Sequence, residues 1–92
     1  MMSFSQLSDK ISDKGFRRCT SARTIYDEEG NTIKVYDFEH RRKLDMFSIY
    51  LNEDGQVLYA EYTKVDFDQQ TRKFSQEVTK LTNGYMIEKF LA

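Results

Sequence analysis

Few residues in this chain have chemistry to offer. A single cysteine, Cys19, and a single histidine, His40, are the two that could act together. A thiol beside an imidazole and several arginines ionises more readily, and its thiolate is a nucleophile. If Thr24–Tyr26 and Thr32–Tyr36 pair through the loop Glu28-Glu29-Gly30, Cys19 falls opposite Glu39 and next to His40. No oxyanion donor or pocket can be assigned beside the pair, so the expected reading is a partly buried structural thiol near a loop histidine, and no catalytic residue is expected. One Cys and one His supply no zinc-type ligand set. Gly15, Gly30, Gly55 and Gly84 do not have the spacing of a phosphate-cradling loop. No metal and no cofactor is expected.

The second candidate is charge. His40-Arg41-Arg42-Lys43 is a run of basic-type side chains in a chain whose net charge is only −1, from 14 Lys and Arg against 15 Asp and Glu. Bulk charge therefore predicts neither a nucleic-acid binder nor a polyanionic mimic. What matters is where the fold places the charges, and that depends on the elements that carry them.

The 92 residues are expected to form one domain, 1–92, with a modest core supplied largely by seven Phe and six Tyr. Ser3 and Gln6 fit a capping box ahead of the stripe Phe4, Leu7, Ile11, and Lys14-Gly15 suit a helix end, so a helix is expected over about 4–14. Two turns of one kind follow, Asp27-Glu28-Glu29-Gly30 and Asn52-Glu53-Asp54-Gly55, each flanked by β-branched and aromatic residues. They predict antiparallel strands at about 21–28, 32–39, 44–52 and 56–66. The stripe Phe67, Phe74, Val78, Leu81, Tyr85, capped by Asp68 and closed by Asn83-Gly84, predicts a helix over about 69–83. The competing reading turns the chain at Gln69–Thr71 and adds a strand. "YMIEKFLA" is apolar enough to dock as a terminal element. The expected fold is α+β: a four-stranded antiparallel meander sheet with an N-terminal and a C-terminal helix packed on it.

Strand alternation puts Phe47, Ile49 and Leu51 on one side of the third strand and Leu44, Met46 and Tyr50 on the other. The fourth strand is likewise apolar on both sides. Both sheet faces therefore need cover, and two helices can cover one face well or both thinly. Whichever part of the Tyr- and Met-rich surface is left over becomes a candidate protein interface: Met46, Tyr50, Leu58 and Tyr62. In a meander both hairpin tips share one end of the sheet, which collects Asp27, Glu28, Glu29, Glu53 and Asp54. The other end collects Arg17, Arg18, His40, Arg41, Arg42 and Lys43, diluted by Asp66 and Asp68. Such polarity steers association and fixes partner orientation.

The function these features imply is a non-catalytic protein-binding module, a small regulator or phage-type inhibitor that occupies the surface of a target protein or pairs with a second copy. The alternative is a weak nucleic-acid-binding domain using the basic end. The absence of a signal-peptide run, of an 18-residue apolar run and of paired cysteines leads to the expectation of a cytoplasmic protein without a membrane role.

Overall fold

A computed structural model of the chain describes residues 2–92. Ser3 opens the first helix, α1 (Phe4–Asp13), with both bonds of the capping box in place: the Gln6 N–H donates to the Ser3 hydroxyl at 3.2 Å and the Ser3 N–H to the Gln6 side-chain Oε1 at 2.9 Å. The helix ends at Gly15, whose φ of +96° suits a residue without Cβ. The strands are β1 (Phe16–Arg18), β2 (Arg23–Tyr26), β3 (Thr32–His40), β4 (Met46–Leu51), β5 (Val57–Asp68) and β6 (Lys73–Leu81), and the chain closes with α2 (Gly84–Leu91).

The architecture is α+β, two helices on an antiparallel six-stranded sheet in the order β1-β3-β4-β5-β6, with β2 also paired to β3. Four of these strands are those the turn chemistry predicts. The meander has two more members. β1 and β2 share one edge of β3, interrupted at Cys19–Ala22, and the register moves by two residues between them: Arg17 faces Glu39, whereas Arg23 faces Val35.

The expected helix over 69–83 does not form; the turn-and-strand alternative does. The Asp68 carboxylate accepts the Gln70 and Thr71 N–H groups at 2.8 and 3.3 Å, the bonds a helix cap would also make. Arg72 then takes φ +55°, which stops helical propagation. The free edge of β5 supplies what a lone amphipathic helix would lack, nine rungs of pairing from Ala60–Leu81 to Asp68–Lys73. Asn83, read as a helix end, is a helix start, its side chain accepting the Met86 N–H at 3.0 Å.

Both helices lie on the same face of the sheet. Leu7 and Ile11 of α1, with Ile87 and Leu91 of α2, pack on Phe16, Phe38, Phe47, Ile49, Ala60 and Leu81. Burying each such aliphatic or aromatic side chain stabilises by roughly 1.5–3 kcal/mol, so this face holds the fold together. Tyr62 belongs here as well, its ring 6.2 Å from that of Phe47 and 5.3 Å from that of Phe90. It therefore does not share a face with Met46 and Tyr50. The sequence pattern misplaces Leu58 too. It is the extra residue of a bulge between the Tyr50–Tyr59 and Leu51–Val57 rungs, a feature that strand alternation alone cannot locate.

The distal β5–β6 hairpin projects from this body. The molecule measures 46 × 29 × 24 Å, and its Cα radius of gyration of 14.0 Å exceeds the roughly 12 Å of a compact chain this long. Among the described residues no helix is long and apolar enough to cross a membrane.

Candidate functional site

Cross-strand partners share a face, so the register defines the uncovered side of the sheet row by row. One row runs Arg23, Val35, Tyr50, Tyr59 across β2 to β5. The next runs Asp37, Ser48, Glu61, Lys80 across β3 to β6, and a third runs Glu39, Met46, Thr63, Val78. Val65 with Gln76, then Phe67 with Phe74, extend the surface onto the projecting hairpin. A hollow of about 550 Å³ spans these rows between Arg23 and Asp37 on one flank and Gln76 and Val78 on the other.

The central row is polar, and its groups are already paired. Arg23 grips Asp37 with two bonds, Nε to Oδ2 at 2.6 Å and Nη2 to Oδ1 at 2.9 Å, and the Ser48 hydroxyl donates to Oδ1 at 2.6 Å. Such bidentate pairs are among the stronger charge-assisted bonds. The Arg23 bonds hold the Asp37 carboxyl below the usual range against the opposing effect of burial, with Ser48 assisting. The Tyr50 hydroxyl donates to Glu61. Burial first, then that bond, push the Tyr50 phenol up to about 12. Tyr50 stacks on Tyr59 with ring centroids 4.2 Å apart and planes 16° from parallel, and Lys80 Nζ lies 4.5 Å from the centre of the Tyr59 ring. Ile33 and Val35 sit beneath this aromatic pair as a second, smaller core.

Around the polar row the side chains are apolar: exposed Leu44 and half-buried Met46 toward the basic end, then half-buried Val65 and exposed Val78, Phe67 and Phe74 along the hairpin. Met46 and Tyr50 are the sequence-predicted interface residues that this face brings together. Leu58 lies apart from them, lining a smaller hollow between the hairpin tips with Ile33 and Glu53. Arg23, Asp37, Glu61 and Lys80 were not singled out from sequence. The available signal was parity: Val35, Asp37 and Glu39 alternate on one side of a single strand.

The charged ends are arranged more loosely than a single patch. Arg17 lies 4.0 Å from Glu39, and Arg18 lies 5.6 Å from the centre of the Tyr36 ring, on the helix-covered side. His40-Arg41-Arg42-Lys43 folds into a turn in which His40 Nδ1 accepts the Arg42 and Lys43 N–H groups, both at 3.1 Å. The acidic tips lie side by side, joined by the Thr32 N–H donating to Glu53 at 3.3 Å. Asp27 is spent on its own turn, accepting the Glu29 and Asn31 N–H groups at 2.9 and 2.8 Å. Glu28, Glu29 and Asp54 are exposed.

Cys19 is not placed for catalysis with His40. Its N–H donates to the Asp37 carbonyl at 2.9 Å, whereas His40 is the partner of Phe16. The two are thus three rungs apart, about 10 Å of strand. Burial pushes the thiol up, and the negative charges of Glu39 and Asp37 outweigh Arg17. Its surroundings suppress the thiolate. Comparison of the chain with protein-family models, with curated proteins and with solved structures finds no match, so the candidate site is the open face itself, judged on its own chemistry.

Proposed function

We propose that this chain is a non-catalytic protein-binding module, a small regulator or inhibitor of the phage type, that works by seating a partner protein on the open face of the sheet. One observation carries the reading: both helices pack on the same side, leaving Met46, Val65 and Val78 on the other side with no element of the described chain above them.

Two physical arguments support it. The polar row costs little to desolvate because Asp37, Arg23, Tyr50 and Glu61 already satisfy one another. The stacked and ion-paired side chains are also ordered before binding, so less conformational freedom is lost on association. The partner that suits this surface presents apolar side chains to Met46, Val65 and Val78 and polar groups to the central row. The nucleic-acid alternative depends on the basic end, where Arg17 and Arg18 diverge to opposite faces and leave Arg41, Arg42 and Lys43 as a short cationic loop.

Affinity capture from the native host, run with matched variants, tests the reading. A partner held by the wild type and by Tyr85→Ser on the exposed side of α2, but lost by Met46→Lys with Thr63→Glu, which sets opposite charges against each other across the strands, at unchanged melting temperature, is the expected result. A partner that the Met46→Lys, Thr63→Glu variant still holds overturns it.

A further inference from the structure

Among the described residues nothing pairs with the outer edge of β6, which is long and regular. Its ladder with β5 runs without a bulge through all nine residues, it contains no proline, and eight of the nine are exposed. Natural edge strands are normally shortened, kinked or broken to prevent further pairing. The opposite edge of this sheet is treated that way, since β1 and β2 are separated by the Cys19–Ala22 interruption. We propose that β6 is a homotypic pairing edge, through which two copies of the chain join antiparallel about a two-fold axis at Gln76 to form one continuous sheet. The inference concerns the edge of the sheet and stands whether or not the open face docks a partner.

Symmetry restricts the possible registers. A two-fold axis normal to the sheet keeps the open faces of both copies on the same side, so each residue must meet one of its own parity and the axis must pass through a residue. With the axis at Glu77, two carboxylates oppose each other and Phe74 meets Lys80 of the second copy. With the axis at Ser75, Phe74 meets Gln76 and the paired length shrinks to residues 73–77; with the axis at Val78, the valines meet but Phe74 is left opposite Thr82, beyond the end of the strand. With the axis at Gln76, Phe74 meets Val78 of the second copy, and Val78 meets its Phe74. In that register Ser75 meets Glu77 and Lys73 meets Thr79, and the one like-charged pair, Lys80 with Arg72 of the second copy, falls at the end of the paired stretch, where Lys80 is drawn over the Tyr59 ring. Apolar cross-strand pairs of this kind stabilise a sheet, whereas directly opposed like charges destabilise it.

The side chains at those positions suit such a contact. Phe74 and Val78 are 63% and 51% exposed in the single chain, and Phe74 packs on Phe67 at 4.7 Å between ring centroids. In the paired sheet, Phe67, Phe74 and Val78 of the second copy form one apolar row, generated twice by the symmetry. Of the two lysines on the strand, Lys80 is drawn over the Tyr59 ring, and Lys73 stands at the first position, opposite Asp68 of β5. A second copy thus fits this edge by its own sequence, which an arbitrary peptide strand would have to match by chance.

The test is solution mass by light scattering or sedimentation across a concentration series, on the full chain and on charge variants. The wild type is expected to dimerise. Phe74→Lys with Val78→Lys is expected to weaken the dimer on the order of tenfold or more, since it places lysine against lysine. Phe74→Lys with Val78→Glu is expected to restore it, because the Gln76 axis then pairs each lysine with a glutamate. Both pairs are exposed, and unchanged circular dichroism confirms that the fold persists. As a direct readout of register, Gln76→Cys in a Cys19→Ser background is expected to cross-link as a homodimer on oxidation, faster than Glu77→Cys in the same background. A monomer at every concentration, or cross-linking no faster at position 76 than at 77, overturns the proposal and leaves the edge to a strand from another protein.

Discussion

Tyr62 donates its hydroxyl to Asp45 at 2.7 Å, and the same carboxylate accepts the Val65 N–H at 3.1 Å. Asp45 is only 5% exposed and directly follows the basic loop, while its carbonyl accepts the His40 N–H at 3.0 Å. One side chain therefore fastens the Arg41–Leu44 loop to β5, at the level where the hairpin leaves the body. Removing it leaves a phenol and a backbone N–H without their acceptor. Asp45→Ala is expected to cost about 1–3 kcal/mol of unfolding free energy, and Asp45→Asn less, because an amide oxygen can still serve Val65. Urea unfolding of the two variants checks the order. Equal losses would show that only the charge matters.

Acid should act on the same group and on Asp37. The Arg23 bonds hold Asp37 low. For Asp45, burial works toward protonation, but the Tyr62 hydroxyl and the Val65 N–H outweigh it and hold the carboxyl below its ordinary range. A carboxyl depressed in the folded state leaves the unfolded chain to bind the proton first. The stabilisation is therefore complete above the ordinary aspartate value near 4 and declines as pH falls below it toward the folded values. The urea midpoint is expected to stay level from neutrality to about that pH and then to fall. In the Asp37→Asn, Asp45→Asn double variant, the acid decline should be shallower.

Alkali has the opposite sign. Tyr50 and Tyr62 are both pushed up to about 12, in each case by burial first and then by the carboxylate that accepts the phenol proton, Glu61 and Asp45 respectively. A tyrosine raised in the folded state stabilises fully below its unfolded value near 10 and loses that contribution as pH climbs through its folded value. Tyrosinate absorbance, followed together with circular dichroism, is expected to show a late step that coincides with unfolding. Tyr50→Phe with Tyr62→Phe should abolish the late ionisation. Its persistence in that variant would assign the step to other tyrosines.

The parts of this fold that were legible in sequence are those controlled by neighbours a few residues apart. The Ser3–Gln6 box and the Asp27 and Asn52 turns are closed local circuits of hydrogen bonds, and each is present as read. Residues 69–83 were misread because Phe67, Phe74 and Val78 fit a helical spacing as well as they fit a hairpin rung plus an alternate strand position, while Leu81, which completes the helical stripe, turns to the helix-covered face of the strand. Only the availability of a free β5 edge decides between those, and that is a property of the whole sheet. The face assignment of Leu58 failed for a similar reason, since a one-residue bulge reverses every later alternation. The open face was legible as a surplus of apolar surface. Its polar row was not, because pairing Arg23 with Asp37 depends on a register shift at Cys19–Ala22 that no local pattern encodes.

Gly15 joins the end of α1 to the basic turn, and two separate constraints meet there. Its φ of +96° is a conformation that a residue with Cβ adopts only at a cost, and a Cβ built on it would lie 2.7 Å from His40 Nε2. The imidazole cannot easily retreat: Nδ1 holds the Arg42 and Lys43 N–H groups, and the ring stands edge-on to Phe16 with centroids 5.0 Å apart. The Gly15 carbonyl in turn accepts the Arg41 N–H at 2.9 Å, so a displaced glycine would also disturb the loop. Gly15→Ala is expected to destabilise by more than about 1 kcal/mol. A double-mutant cycle with His40→Ala separates the two causes: the steric part disappears when the imidazole is absent, and the backbone part remains. A coupling of zero in that cycle would remove the imidazole from the explanation and leave backbone strain alone.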